Sequence, residues 1–142
     1  MKDFLKHINS LNIEQLKSEL AELYASYDLV KNYYQIKLKN DGLDENVLKK
    51  YKDQITEAIY PNKYMEGGLN VEKVDAIIKQ LNSDATFKYY IEASLHSIEE
   101  CTSIANEYGG DFGDDFYIYF EELYEKIVEL IVKRSFQEEY KI

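Results

Sequence analysis

The chain is predicted to be all-α, and three observations carry that expectation. One proline and six glycines are spread over 142 residues, so long stretches run without a breaker, which favours helices over a many-turned β fold. Apolar residues recur at three- and four-residue spacings along most of the chain, the signature of helix faces. No period-2 run of strand length and no fixed-length repeat competes with them. The run from Phe116 to Phe120 could be read as a strand, but the helical spacing continues past it. The expectation is a single domain over residues 1–142, a bundle of six to seven mostly antiparallel helices. A short α-solenoid of helix pairs is the alternative.

Residues 2–9 suit one short helix. Asn12 then stands at an N-cap position with Gln15 three residues on, the pattern of a capping box, and Ile13, Leu16, Leu20, Leu23 and Tyr27 follow as one helix face. That stripe spans only two heptads, which predicts a packed bundle rather than an extended coiled coil. A second face runs from Leu29 to Leu38 after a corner or bend at Ser26-Tyr27-Asp28, and Asn40-Asp41-Gly42 stops it. Asp44 caps a helix with Val47, Leu48, Tyr51, Ile55, Ala58 and Ile59 on one side, which Pro61 ends.

Residues 61–69 form a loop whose length and Gly67-Gly68 predict the most mobile internal segment. Asn70 caps a helix with Val71, Val74, Ile77, Ile78 and Leu81 inward, and Asn82-Ser83-Asp84 breaks it and caps the next. That helix carries Phe87, Ile91, Leu95, Ile98, Cys101 or Thr102, Ala105 and Tyr108, a run of about seven turns, and closes on Gly109-Gly110. The last long helix begins near Asp114, with Phe116, Phe120, Leu123, Ile127, Leu130 and Ile131 inward. Acids in its first half and Lys133-Arg134 at its end complement the helix dipole. The remainder, SFQEEYKI, is a short helix or a frayed tail.

Composition narrows the function classes. Apolar content of 45% marks a globular chain. Cys101 is the only cysteine, so neither an internal disulfide nor a thiolate metal cluster can form. The start, MKDFLKHINS, lacks the apolar core of a signal peptide, and no apolar run reaches membrane-spanning length. A soluble cytoplasmic protein is expected. The net charge of −10 is uneven: residues 1–71 carry ten Lys and eleven acids, and residues 72–142 carry seven Lys or Arg and sixteen acids. Between Tyr89 and Glu125 there are ten acids and no Lys or Arg. Such a field repels nucleic acid and anionic lipid and attracts basic protein surfaces or cations, although acidic faces also serve solubility alone. Fourteen tyrosines and no tryptophan add rings that suit helix flanks and interfaces.

Site signatures are weak. An EF-hand needs oxygen ligands at loop positions 1, 3, 5 and 12 and glycine at 6. Counted from Asp111, position 3 is Gly113 and position 6 is Phe116, so a specific calcium loop is rejected in favour of N-capping by Asp114. Glu92, His96, Glu99 and Glu100 share one side of a helix, but no second helix supplies a histidine to complete a carboxylate-bridged metal site. Cys101 sits at a core spacing, as a small buried hydrophobe does. No nucleophile elbow, phosphate loop or dinucleotide fingerprint occurs. Asn106, Glu107 and Tyr108 at a helix end, with Asp111, Asp114, Asp115 and Tyr117 beyond the turn, are the candidate binding residues. Their structural role is to hold the turn, with Tyr108 reaching across to the next helix. Their functional role is a shallow pocket rimmed by Glu107, Asp111 and Tyr117. No catalytic residue, metal or cofactor is assigned.

Ile59-Tyr60-Pro61, the apolar helix from Val71, and Asn106-Glu107-Tyr108-Gly109 followed by an acidic turn and Phe116-Tyr117 resemble a family of small, mostly bacterial helical proteins catalogued only as a domain of unknown function. The resemblance spans most of the chain and is sharpest over residues 106–117. The family pattern has one residue fewer in the turn, so Gly110 reads as an insertion, and Cys101 stands where the family has a small residue. The resemblance implies an all-helical cytoplasmic protein and no activity.

The function expected is therefore a non-enzymatic interaction module that presents an acidic, tyrosine-rich surface to a basic protein partner, as an adaptor, an immunity or antidote protein, or an inhibitor. No nucleic acid or membrane partner is expected, and a dimer is compatible. A metal-dependent or hydrolytic enzyme with its site between the two long C-terminal helices is one alternative. A structural oligomer is another.

Overall fold

The computed structural model describes residues 1–39, 42–63, 66–83 and 86–140, the side chain of Gln137 aside. Among them are eight helices and no strand: α1 (Lys2–Ser10), α2 (Ile13–Ser26), α3 (Asp28–Leu38), α4 (Glu45–Ile59), α5 (Val71–Lys79), α6 (Phe87–Tyr108), α7 (Asp114–Lys133) and α8 (Gln137–Tyr140). The fold is all-α, with eight helices instead of six or seven, because the C-terminal tail adds a single turn, α8. Where one domain over residues 1–142 is expected, the contacts cluster into two compact units, Met1–Gly42 and Leu43–Ile142. Each is described by itself.

In the first unit, the capping box at Asn12 forms in full. The Asn12 side chain accepts from the Gln15 amide at 2.8 Å, and the Gln15 side chain accepts from the Asn12 amide at 3.0 Å. The corner between α2 and α3 is one extended residue, Tyr27. The two helices fold back on each other, since Tyr24 and Tyr34 meet edge-on at 6.3 Å and Leu20 and Leu38 line a common apolar groove. His7 Nε2 lies 2.9 Å from a Glu19 carboxylate oxygen and ties α1 to α2. The packing stops there. Ile36 is the only buried residue of α1–α3 among those described. The stripe Ile13, Leu16, Leu20, Leu23 and Tyr27, predicted to pack inward, leaves every member but Leu16 exposed. A set of three short helices has too little volume to enclose it. Asn40 and Asp41, the expected helix stop, lie outside the described residues.

The second unit has a real core. Asp44 caps α4 by accepting from the Asn46 and Val47 amides, and all six apolar residues predicted for its inner face are buried. Asn70 caps α5 through the Lys73 amide at 3.0 Å, and Val74, Ile77, Ile78 and Leu81 are buried. Asp84, the expected cap of α6, lies outside the described residues. Thr86 stands at the N-cap without a side-chain capping bond, because its hydroxyl is used on the Leu81 carbonyl and on Ser83.

Helix direction follows from the cross-links. Asp44 meets Tyr89, Lys52 meets Glu92 and Thr56 meets His96, so numbers rise together and α4 runs parallel to α6. Between α6 and α7 the numbers oppose: Lys126 lies over the Tyr90 ring, Arg134 over the Phe87 ring, and Tyr117 bonds Gly110. Helices α6 and α7 are therefore antiparallel, and α4 and α6, a closely packed pair, are parallel.

Helix α6 spans 22 residues, about six turns instead of seven. Its buried face also differs from the predicted stripe. Leu95 and Ile98 are half-buried, whereas Tyr89, Tyr90, Ala93, Ser94 and Ser97 are enclosed. The helix packs on α4, α5 and α7, and the small residues let those neighbours approach. Ser97 donates to the Ser94 carbonyl at 2.7 Å. The Ser94 hydroxyl, fully buried, has no partner among the described residues.

The chain after α4 doubles back over that helix's end. Leu69 and Asn70 amides donate to the Ile59 and Ala58 carbonyls at 2.8 and 2.9 Å, satisfying acceptors that a helix C-terminus leaves open. This brings Gly68, at φ +82°, against backbone: a Cβ there would lie 2.6 Å from Pro61 N and 2.9 Å from Tyr60 C.

Urea unfolding tests three substitutions. Gly68→Ala should lose on the order of 2–4 kcal/mol, because φ and backbone contact both forbid the methyl. Gly67→Ala, with a positive φ but open space, should lose only about 1 kcal/mol. Ser94→Ala should be neutral or stabilising by about 1 kcal/mol, since it removes an unpaired buried hydroxyl and improves helix propensity; a loss above about 1 kcal/mol would show that the hydroxyl has a partner.

Candidate interaction groove

The corner between α6 and α7 is built by glycines. Gly109 ends α6 in the left-handed region at φ +88°, its amide donating to the Ala105 carbonyl at 3.1 Å. Gly110 and Gly113 are also left-handed, at φ +78° and +87°. Gly113 is the N-cap of α7 and Asp114 the first helical residue, which corrects the expectation that Asp114 caps. Asp114 and Asp115 instead lie in the first turn, where the helix dipole favours negative charge. The tyrosine that crosses the corner is Tyr117, whose hydroxyl donates to the Gly110 carbonyl. Tyr108 is 43% exposed and lies near Tyr60. Phe112 stacks on Tyr117 at 6.3 Å and meets Phe116 edge-on at 5.4 Å, which closes the turn with rings. Gly110 is thus an integral part of the corner, holding the α7 tyrosine through its carbonyl.

A groove of about 480 Å³ runs between α6 and α7. Its floor is apolar, made by Ile98, Cys101 and Ala105 of α6 and Phe120 of α7. Its rim carries Thr102 and Asn106 on one side and Tyr117, Glu121, Tyr124 and Glu125 on the other. No Lys or Arg is among these lining residues. The volume is that of a pocket for a few side chains or a small ligand.

Of the seven sequence-predicted site residues, the groove brings together Asn106 and Tyr117. Glu107 and Tyr108 belong to another side: Tyr60's phenol is held above its ordinary range by burial first and by the Glu100 and Glu107 charges next, which places Glu107 near the end of α4. Asp111, Asp114 and Asp115 are exposed at the corner and do not line the groove. Sequence reasoning missed Glu121, Tyr124 and Glu125. Their signal was present, since Tyr117, Glu121 and Tyr124 recur at a 4-3 spacing beside the core stripe of α7. On α6 the residues assigned to the core, Ile98, Thr102 and Ala105, are the ones that open onto the groove.

The chemistry of the remaining candidates is occupied. Thr56 Oγ1 and His96 Nε2 are 2.8 Å apart, and among the described residues no three His, Cys, Asp or Glu side chains gather as metal ligands would. Cys101 is 6% exposed, and burial pushes its thiol from 9.0 up to about 11. A second depression of about 220 Å³ between α5 and α7 is filled with mutual pairs: Tyr119 donates to Asp75 at 3.2 Å, and Lys79 also pairs with Asp75. Burial, then the Asp75 charge, hold the Tyr119 phenol protonated well beyond its ordinary range. No helix among the described residues is long and apolar enough to cross a membrane.

Comparison with protein-family models, curated protein sequences and solved structures returned no match.

The thiol supplies a pH test. The folded state keeps a proton that the unfolded chain releases above about pH 9, so this contribution is whole below pH 9 and falls as pH rises toward 11. Urea midpoints measured from pH 8 to pH 10 should decline less steeply in Cys101→Ala than in the wild type. In the same range the native thiol should react with a disulfide reagent only as fast as the protein opens.

Proposed function

We propose that the protein is a non-enzymatic interaction module whose α6–α7 groove receives a basic, amphipathic segment of a protein partner. One observation carries this: an apolar floor bordered by Glu121, Glu125, Tyr117 and Tyr124 with no cation among the lining residues. Apolar floor and acidic rim together match a helix that shows leucines or aromatics on one face and Lys or Arg beside them. Tyrosine adds contact area at little entropic cost, and the carboxylates steer the approach of a cationic partner.

The acidic surplus of residues 72–142 extends the attraction beyond the groove. Adaptor, immunity or antidote, and inhibitor roles all use such a surface, in the cytoplasm. Membership of the helical family that residues 106–117 resemble belongs to the same proposal and adds no activity to it.

The chain has no tryptophan, so a peptide carrying one reports binding by its own fluorescence. An amphipathic Lys/Leu peptide with a single Trp should bind saturably and weaken as salt rises from about 0.05 to about 0.5 M. An acidic peptide with the same apolar face should not bind. Glu121→Lys with Glu125→Lys should weaken binding by roughly tenfold or more, and Tyr124→Ala should speed dissociation. Reversing Asp111, Asp114 and Asp115 should change affinity by less than about threefold, because these carboxylates act only at a distance. Equal binding by wild type and the Glu121/Glu125 double variant would remove the proposal.

A further inference from the structure

Residues 1–42 hold a surface that the groove does not explain. Among the described residues, eleven large apolar side chains are exposed there, against four in residues 43–142. Among them are Ile13 at 69%, Leu20 at 48%, Leu23 at 42% and Leu38 at 73%. Ile13, Leu20 and Leu23 lie on the inward-spaced stripe of α2, and Leu20 and Leu38 also line an apolar groove of about 280 Å³ between α2 and α3. A large apolar side chain offers on the order of 150–200 Å². Ile13, Leu20, Leu23 and Leu38, at the exposures given, leave on the order of 350–450 Å² of apolar surface on α2 and α3. A patch of that size, on helices with one buried residue among those described, is the kind that serves association.

Charge identifies the occupant. Residues 1–42 carry six Lys and six acids and are neutral, whereas residues 43–142 carry eleven Lys or Arg and twenty-one acids and hold the whole net charge of −10. A cationic partner gains nothing from the neutral unit and is drawn to the other. An anionic surface is repelled by the chain as a whole. A second copy of the chain is the partner for which neutrality matters most: two molecules at −10 repel wherever their acidic units meet and can approach only through a face with no net charge.

We infer that α2 and α3 form a homodimerisation surface, in which the Ile13–Leu20–Leu23 stripe and the α2–α3 groove of one chain are covered by the same elements of a second copy about a two-fold axis. The surface is independent of the α6–α7 groove, so either can fail without the other.

Sedimentation equilibrium of the full chain tests it. The wild type should show twice the 16.7 kDa chain mass at micromolar concentration. It should keep that mass as salt rises from about 0.05 to about 0.5 M, since an apolar seam survives screening and the repulsion between acidic units is relieved. Leu20→Glu with Leu23→Glu should give the single-chain mass with unchanged helical circular dichroism, both positions being exposed within the chain. Ile13→Glu, in the first turn of α2, should raise the dimer dissociation constant about tenfold and serves if the double variant loses helix. A single-chain mass for the wild type overturns the inference, whether the molecule stays free or sediments with neutral phosphatidylcholine vesicles. A dimer that survives Leu20→Glu with Leu23→Glu with that helix intact, or whose dissociation constant Ile13→Glu leaves unchanged, overturns it equally.

Discussion

Helix α6 touches α4, α5 and α7 at once, and the rest of residues 43–142 is arranged by that contact. A helix with one apolar stripe can serve one or two neighbours. Serving three requires that the middle of the helix be small as well as buried, and Ala93, Ser94 and Ser97 supply this with no exposure at all. The ends are wider, with Phe87, Tyr89 and Tyr90 at one and Ile104 at the other. Beyond its narrow middle α6 faces α7 across the groove whose floor includes Cys101 and Phe120. The candidate site thus lies between two helices of the core itself.

The sequence was legible where one residue type had one job. Asn12 with Gln15, Asp44 and Asn70 each cap the helix they precede, because a short polar side chain before an apolar repeat has few other uses. The six inner residues of α4 are all buried, since that helix shows one face to its neighbours. In α6 Phe87, Ile91 and Cys101 are buried as expected, but Leu95 and Ile98 are only half-buried. Serines count as polar in a periodicity reading, yet Ser97 satisfies its hydroxyl on its own helix and faces inward. Once the true face is set by Ala93, Ser94 and Ser97, Ile98, Thr102 and Ala105 rotate outward to the groove. In α2 the stripe was read correctly as a face, but periodicity reports that a face is apolar and not what covers it. Directions of helices, and hence the parallel α4–α6 pair, follow only from contacts distant in sequence.

The acidic run between Tyr89 and Glu125 shows how folding redistributes charge. In sequence it contains no cation. In space Lys52 approaches Glu92 at 3.9 Å, and Lys126 turns away to the Tyr90 ring at 5.9 Å. Glu100 and Glu107 lie beside Tyr60, while Glu121 and Glu125 line the groove. One block of like charges is thereby divided into separate fields, and only the pair on α7 borders an apolar floor. The division is a consequence of helical azimuth: residues four apart on one helix share a side, and residues on opposite sides of α6 do not.

The parallel pairing of α4 with α6 also fixes an order of events during synthesis. The partners of α4 that share a hydrogen bond or ion pair with it lie 40 to 45 residues further along the chain. At about 5–20 residues per second, the apolar face of α4 is made roughly 2–9 s before the helix that covers it. During that interval α5 is its only available neighbour in this unit, and the loop that lays Leu69 and Asn70 over the end of α4 holds the two together. Until α6 has been made, the backbone bonds from Leu69 and Asn70 to the end of α4 are the contacts able to hold α5 beside it, and they bring position 68 so close to Pro61 that only glycine fits.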